Sequence, residues 1–254
     1  MIGFFDSGKC GLSVAAAVRK LLPHYSYLYL PDSENGTYGQ RTRKEITQLT
    51  KQGVTRLFNE GCNLVILACN SASACALRTL QQEWLPEKFP DKKLLGILVP
   101  TIEQITGQKW TERNSNQGRH AIKSLAILAT PATIASGAYE REIKKRAPKL
   151  QLIQQPCPGL ADLIENDADD KTIKTKAAMF IQTLFRKHSD LPDALLLGCT
   201  HYSLKHDLFE TLIPPEVELF DQPTAVAKSL QEYLKNHPKI AQNLKKEGLF
   251  QQIG

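Results

Sequence analysis

Short apolar runs recur along the chain, at Ile2 to Phe5, Tyr27 to Leu30, Leu64 to Ala68, Leu94 to Val99, Leu125 to Ala129, Gln151 to Ile153, Ala194 to Leu197 and Val217 to Phe220. Their length and near-continuous hydrophobicity predict strands covered on both faces. Between them, residues 13–22, 41–59, 72–84, 133–147, 170–187, 203–212 and 224–236 carry apolar positions three and four apart among Lys, Glu and Gln, the spacing of amphipathic helices. Strand alternating with helix predicts an α/β fold with mostly parallel sheets, whose ligands bind beyond the carboxyl ends of the strands. The polar stretch Thr111 to Arg119 has no period and predicts a surface loop.

The chain also repeats itself. Leu67-Ala68-Cys69-Asn70-Ser71 resembles Leu197-Gly198-Cys199-Thr200-His201 at an offset of 130, and Phe5-Asp6-Ser7-Gly8 parallels Ala129-Thr130-Pro131-Ala132 at an offset of 124. Two similar α/β domains related by a pseudo-twofold axis follow, with a cleft between them onto which both cysteines open. Placing the late run Val217 to Phe220 back in the first half gives domains of residues 1–97 plus 213–254 and of residues 98–212.

Composition narrows the class. The 254 residues are 42% hydrophobic and 23% charged, as in ordinary globular proteins. No apolar run approaches the roughly 18 residues of a membrane span, so no membrane partner and a cytoplasmic location are expected. The net charge of +6 comes from scattered Lys and Arg, with short clusters at 141–146 and 245–246 on helix faces. Nucleic-acid binding is therefore not expected as the primary role. The cysteines, at 10, 62, 69, 75, 157 and 199, form no C-x-x-C pair, and no dinucleotide fingerprint or P-loop is present. Neither a metal nor an organic cofactor is expected.

Cys69 and Cys199 each stand between a strand end and a helix start. Unpaired amide N–H groups and the helix dipole at such a place favour thiolate and lower the thiol pKa from about 8.5. The plain alternative for either one is a buried sulfur. Ser7, Tyr38, Gly39, Asn70, Ser71, Thr130 and Thr200, at strand ends, offer neutral donors for a substrate carboxylate, although the same residue types serve as turn and cap formers.

Four motifs in order resemble those of the glutamate racemases, the cofactor-independent branch of the aspartate/glutamate racemase superfamily. They are Asp6-Ser7-Gly8-Lys9-Cys10-Gly11-Leu12-Ser13, Tyr38-Gly39 after the second strand, Ala68-Cys69-Asn70-Ser71-Ala72-Ser73, and Leu197-Gly198-Cys199-Thr200-His201-Tyr202. The resemblance implies racemisation of glutamate by two thiols, with Cys69 serving the D-enantiomer and Cys199 the L-enantiomer, and a supply of D-glutamate for peptidoglycan. It implies assisting roles for Asp6 and His201, and a further site carboxylate at Glu165. A homodimer is left open.

Two segments depart from the family pattern. Lys9-Cys10 stands where a Val-Gly pair is usual, and Asp221-Gln222-Pro223 replaces a D-S-G-like segment. The bland reading of Lys9 is a solvated side chain, and of Cys10 a packed small one. The competing functions are an aspartate racemase or related two-thiol isomerase, and a protein that acts by binding a partner.

Overall fold

The computed structural model describes residues 1–108, 122–186, 190–220 and 222–254; the loop expected at 111–119 lies outside them. Its strands are β1 (Ile2–Asp6), β2 (Tyr27–Pro31), β3 (Leu64–Leu67), β4 (Lys93–Gly96), β5 (Ser124–Ala129), β6 (Gln151–Pro156), β7 (Ala194–Gly198), β8 (Glu218–Phe220) and β9 (Phe250–Gln252). They form two parallel sheets, ordered β4-β3-β1-β2-β9 and β6-β5-β7-β8. Read from opposite edges, β4-β3-β1-β2 and β8-β7-β5-β6 are the same arrangement, so the faint sequence repeat is a repeat of topology.

This symmetry corrects one expectation. The run Val217 to Phe220 does not return to the first half: β8 pairs with β7, Ala194 opposite Glu218 and Leu196 opposite Phe220. It does for β7 what β4 does for β3, covering backbone groups that would otherwise form a bare edge. The strand that does return is β9, which pairs with β2, and whose polar sequence Phe250-Gln251-Gln252 gave no apolar signal. A second correction concerns Leu94 to Val99. The strand stops at Gly96 and Leu98–Thr106 is helical, with Pro100 in its first turn, where a missing N–H costs nothing.

Alternation along the central strands sorts the core into layers. Ile2 and Phe4 of β1, Leu64 and Ile66 of β3, Leu125 and Ile127 of β5, and Ala194 and Leu196 of β7 all join one cluster between the sheets. That cluster is filled by helices Leu12–Leu21, Leu98–Thr106, Ala138–Arg146 and Gln222–Asn236, through Val18, Ile102, Tyr139 and Leu230 among others. The opposite faces bury Phe5, Val65 and Leu67 in one outer cluster and Ala126, Leu128, Leu195 and Leu197 in another. The two halves thus share a helical middle layer.

Gly53, inside helix Arg43–Asn59, lies so close to β1 that a Cβ would fall 2.1 Å from Phe5 Cε2. Helix propensity alone makes Gly→Ala worth about 1 kcal/mol of stabilisation. Overpacking against a buried ring acts the other way and exceeds it. Gly53→Ala is expected to lower stability by about 1–3 kcal/mol in urea denaturation; a gain would show that the helix shifts off the sheet at little cost.

Candidate active site

Strands β1, β3, β5 and β7 end at one narrow, nearly closed pocket between the halves. Ser7, Tyr38, Gly39, Cys69, Asn70, Ser71, Thr130, Cys199, Thr200 and His201 all line it, together with Thr37 and Ala161, which the sequence did not single out. None of these residues is Lys or Arg. Asp6 and Glu165 do not line the cavity; each stands directly behind a lining residue.

At the first elbow Cys69 is the N-cap of helix Asn70–Cys75, and its Sγ accepts the Ala72 N–H at 3.4 Å. Ser7 Oγ lies 3.3 Å from the same sulfur and 3.3 Å from Asp6 Oδ1, which also accepts the Ser7 N–H at 2.6 Å. The side chain after the thiol is fixed from behind. Asn70 exchanges two hydrogen bonds with Gln222, at 2.8 and 3.1 Å, and accepts one from Tyr139 Oη at 2.7 Å. Gln222, fully buried, thus has a structural task that its departure from the family pattern did not disclose.

The second elbow is built differently. Cys199 is likewise the N-cap of its helix, Thr200–Leu204, but its Sγ takes no capping N–H. It faces His201 Nδ1 at 3.6 Å, while His201 Nε2 meets Glu165 Oε2 at 2.8 Å. Thr200 Oγ1 reaches across the cleft and donates to Asp6 Oδ2 at 3.3 Å. Two further contacts cross the seam, Ser71 Oγ with Thr130 Oγ1 at 2.9 Å and the Ala132 N–H onto the Gly39 carbonyl at 2.9 Å.

The glycines of the first motif have a steric reason. A Cβ on Gly11 would fall 2.3 Å from Asp6 Oδ2, and one on Gly8 would fall 2.7 Å from Glu165 Oε1. The loop is therefore moulded around two carboxylates, one from each half. Gly39 makes similar room for Thr130, whose Cγ2 is 2.9 Å from its added Cβ. Lys9 turns away from the cavity to pair with Asp167 at 2.6 Å, both side chains well exposed.

Burial reverses one electrostatic expectation. Desolvation, reinforced by the charge of Asp6, pushes the Cys69 thiol up to about 12, outweighing the Ser7 and Ala72 donors that favour thiolate. Desolvation likewise raises Asp6 to about 6, against the opposing pull of His201 and of its Ser7 and Thr200 donors. Burial acts to lower His201, but hydrogen bonds with Cys10, Cys199 and Glu165 overcome it and hold the imidazole above its ordinary value. Glu165 is drawn below the usual carboxylate range chiefly by its hydrogen bond with His201.

Comparison with known proteins places this geometry among relatives. The family model for Asp/Glu/Hydantoin racemases matches residues 12–230. The chain is 46% identical over 237 residues to the glutamate racemase of Roseobacter denitrificans, covering 93% of this chain and 86% of the relative. With that of Phenylobacterium zucineum it shares 43% over 245 residues, covering 94% and 87%. Among solved structures, a glutamate racemase isoform of Bacillus anthracis superposes with a TM-score of 0.82 at 25% identity, covering 99% of this chain and 86% of that one. The Francisella tularensis enzyme in complex with D-glutamate superposes at 0.80 and 23% identity, over 99% and 86%, a likeness of fold. Among the described residues no helix is long and apolar enough to cross a membrane.

Asp6 predicts a pH signature. With a folded pKa of about 6 against the ordinary 3.8, the native carboxyl keeps a proton between these values that the unfolded chain has released. Stability therefore falls as pH rises through this window, by about 3 kcal/mol, and the loss is complete above it. Asp6→Asn removes the buried charge, so its stability relative to the parent should rise by about that amount from pH 4 to pH 7 in paired urea titrations. A pH-independent difference would mean that Asp6 titrates normally.

Proposed function

Because the chain belongs to the glutamate racemases of the Asp/Glu/Hydantoin racemase family, we propose that it interconverts L- and D-glutamate by two thiols acting from opposite faces of the α-carbon. The observation that carries the reading is the pair of elbows, two cysteines capping equivalent helices of a repeated fold and lining one cavity. Neutral hydroxyls, amides and backbone N–H groups at both strand ends are available to hold the substrate carboxylates, in a lining that carries no ammonium or guanidinium group.

In the direction from L to D, Cys199 is the base. Its proton passes to His201, whose charged form is favoured by Glu165, and the resulting thiolate removes the α-hydrogen. Cys69 gives its proton to the other face; as a thiol pushed up to about 12 it waits in the donor form. Ser7 and Asp6 then restore the proton to Cys69. The reverse direction exchanges the roles, so the pair titrates as one system. The chemistry has acid and base within the chain and assigns no step to a metal or organic cofactor. On the same reading the enzyme works in the cytoplasm and supplies D-glutamate for peptidoglycan.

Glutamate racemisation is followed by circular dichroism and by α-deuterium incorporation in deuterium oxide, with aspartate as the comparison substrate. The expected result is conversion of both glutamate enantiomers, unaffected by a chelator or by pyridoxal phosphate. Cys69→Ala and Cys199→Ala should each abolish racemisation. A serine hydroxyl is a far poorer base than a thiolate yet still a possible acid. Cys69→Ser should therefore be worse starting from D-glutamate and Cys199→Ser worse from L-glutamate, visible as unequal primary isotope effects. Near-normal turnover in either Ala variant would reject the two-thiol mechanism, and faster turnover of aspartate would reassign the substrate.

A further inference from the structure

Cys10 is fully buried in the loop between β1 and helix Leu12–Leu21, and takes no part in the relay described above. Its Sγ stands 3.5 Å from Glu165 Oε2, which in turn stands 2.8 Å from His201 Nε2. All three donor atoms lie within 4.8 Å of one another. They come from a loop of the first half, the end of helix Leu160–Glu165 in the second, and the helix start after Cys199, so no sequence spacing could have grouped them. We propose that Cys10, Glu165 and His201 form a binding site for a thiophilic divalent cation of the Zn²⁺ type, and that the ion switches the enzyme off by occupying the His201–Glu165 pair.

The donor set and its geometry carry this reading. One thiolate sulfur, one imidazole nitrogen and one carboxylate oxygen suit a borderline-soft tetrahedral ion and not a hard oxygen-seeking one. Bonds of about 2.3 Å to sulfur and about 2.0 Å to oxygen at the tetrahedral angle place those two atoms about 3.5 Å apart, which is the separation observed for Cys10 and Glu165. The imidazole and carboxylate, now hydrogen-bonded at 2.8 Å, need to spread to about 3.3 Å. Glu165 ends its short helix, and its side chain, 16% exposed, gives solvent a way to the group and a place for water as fourth ligand. Outer contacts that orient the ligands are already made: the Lys9 N–H donates to Glu165 Oε1 at 3.3 Å, and His201 Nδ1 faces Cys199.

Binding breaks the Cys10 S–H bond and forms a metal–sulfur bond, and the proton goes to solvent. Burial pushes this thiol up to about 11, so the thiolate forms there through coordination and not by free ionisation. His201 releases its Nε2 proton to solvent as well and gives that nitrogen to the ion as a neutral ring, and Glu165 loses its free charge. Cys199 then has no acceptor for its proton. This inhibitory consequence rests on the proposed relay, whereas the binding itself does not.

Calorimetric titration of the full chain with ZnCl₂ tests the site without reference to activity. One tight site is expected, weakened on the order of 100-fold or more in Cys10→Ala and in Glu165→Gln, since loss even of outer-shell partners costs 10–100-fold. Cys69→Ala and His206→Ala should leave it intact; the latter removes a ligand from the other grouping among the described residues, half-buried His206 with exposed Asp207 and Glu210. Co²⁺ in place of Zn²⁺ should give a thiolate charge-transfer band that Cys10→Ala lacks. Tight binding kept in Cys10→Ala and Glu165→Gln but lost in Cys69→Ala would seat the ion between the cleft thiols and overturn the proposal, as would the absence of any tight site. Cys10-dependent binding in a protein inactive on glutamate would sink the proposed function alone. Racemisation untouched by bound Zn²⁺ would overturn the inhibitory half of this proposal.

Discussion

The arrangement depends on one buried carboxylate. Asp6 ends β1 at the centre of the first sheet and has no exposed surface, yet it accepts from Ser7 in its own half and from Thr200 in the other. Donors from both sides offset part of the cost of burying its charge, yet desolvation still raises its pKa to about 6. Gly11 has to lack a side chain for the carboxylate to lie where it does. The loop, the seam and both elbows are thereby referred to a single point, and a displacement of Asp6 would be felt at Cys69 through Ser7 and beside Cys199 through Thr200.

Equivalent elbows have acquired unequal surroundings. Cys69 is capped by an amide and a serine hydroxyl and, under burial and the field of Asp6, rests as a thiol. Cys199 lacks the amide cap and instead faces a histidine that is itself held by a carboxylate. Topological symmetry thus supplies two sulfurs in one cleft, while their hydrogen-bonding neighbours differ. On the proposed mechanism, protons pass to and from the two thiols along short hydrogen-bonded chains, Ser7 to Asp6 on one side and His201 to Glu165 on the other.

Much of this was legible in the chain itself. The strand runs, the offsets of 124 and 130 and the four motifs point to two α/β halves with a cysteine on each, and the cavity gathers nine residues of those motifs together with Thr130. What was not legible depends on distance through space. The membership of β8 turns on which sheet edge lacks a partner, and an isolated apolar run does not carry that information. A helix-start cysteine reads as an acidic thiol until its desolvation is known. Gln222 reads as an interruption, though its amide locks Asn70 from a distance of 152 positions. Thr37 gave only the weak signal of a hydroxyl beside Tyr38-Gly39.

Strand β9 bears on how the molecule is made. Residues preceding it already grip the first half: the Ser26 N–H donates to the Lys245 carbonyl, the Tyr27 N–H to that of Leu249, and Asn63 Nδ2 to that of Asn243. During synthesis the second sheet has all its strands once β8 has emerged, whereas the first, begun at Ile2, waits for Phe250 to close its edge beside β2. The half that is translated first is therefore finished last. The contact that closes it, Tyr27 opposite Phe250, spans nearly the whole sequence, and long-range pairing of this kind is what slows folding.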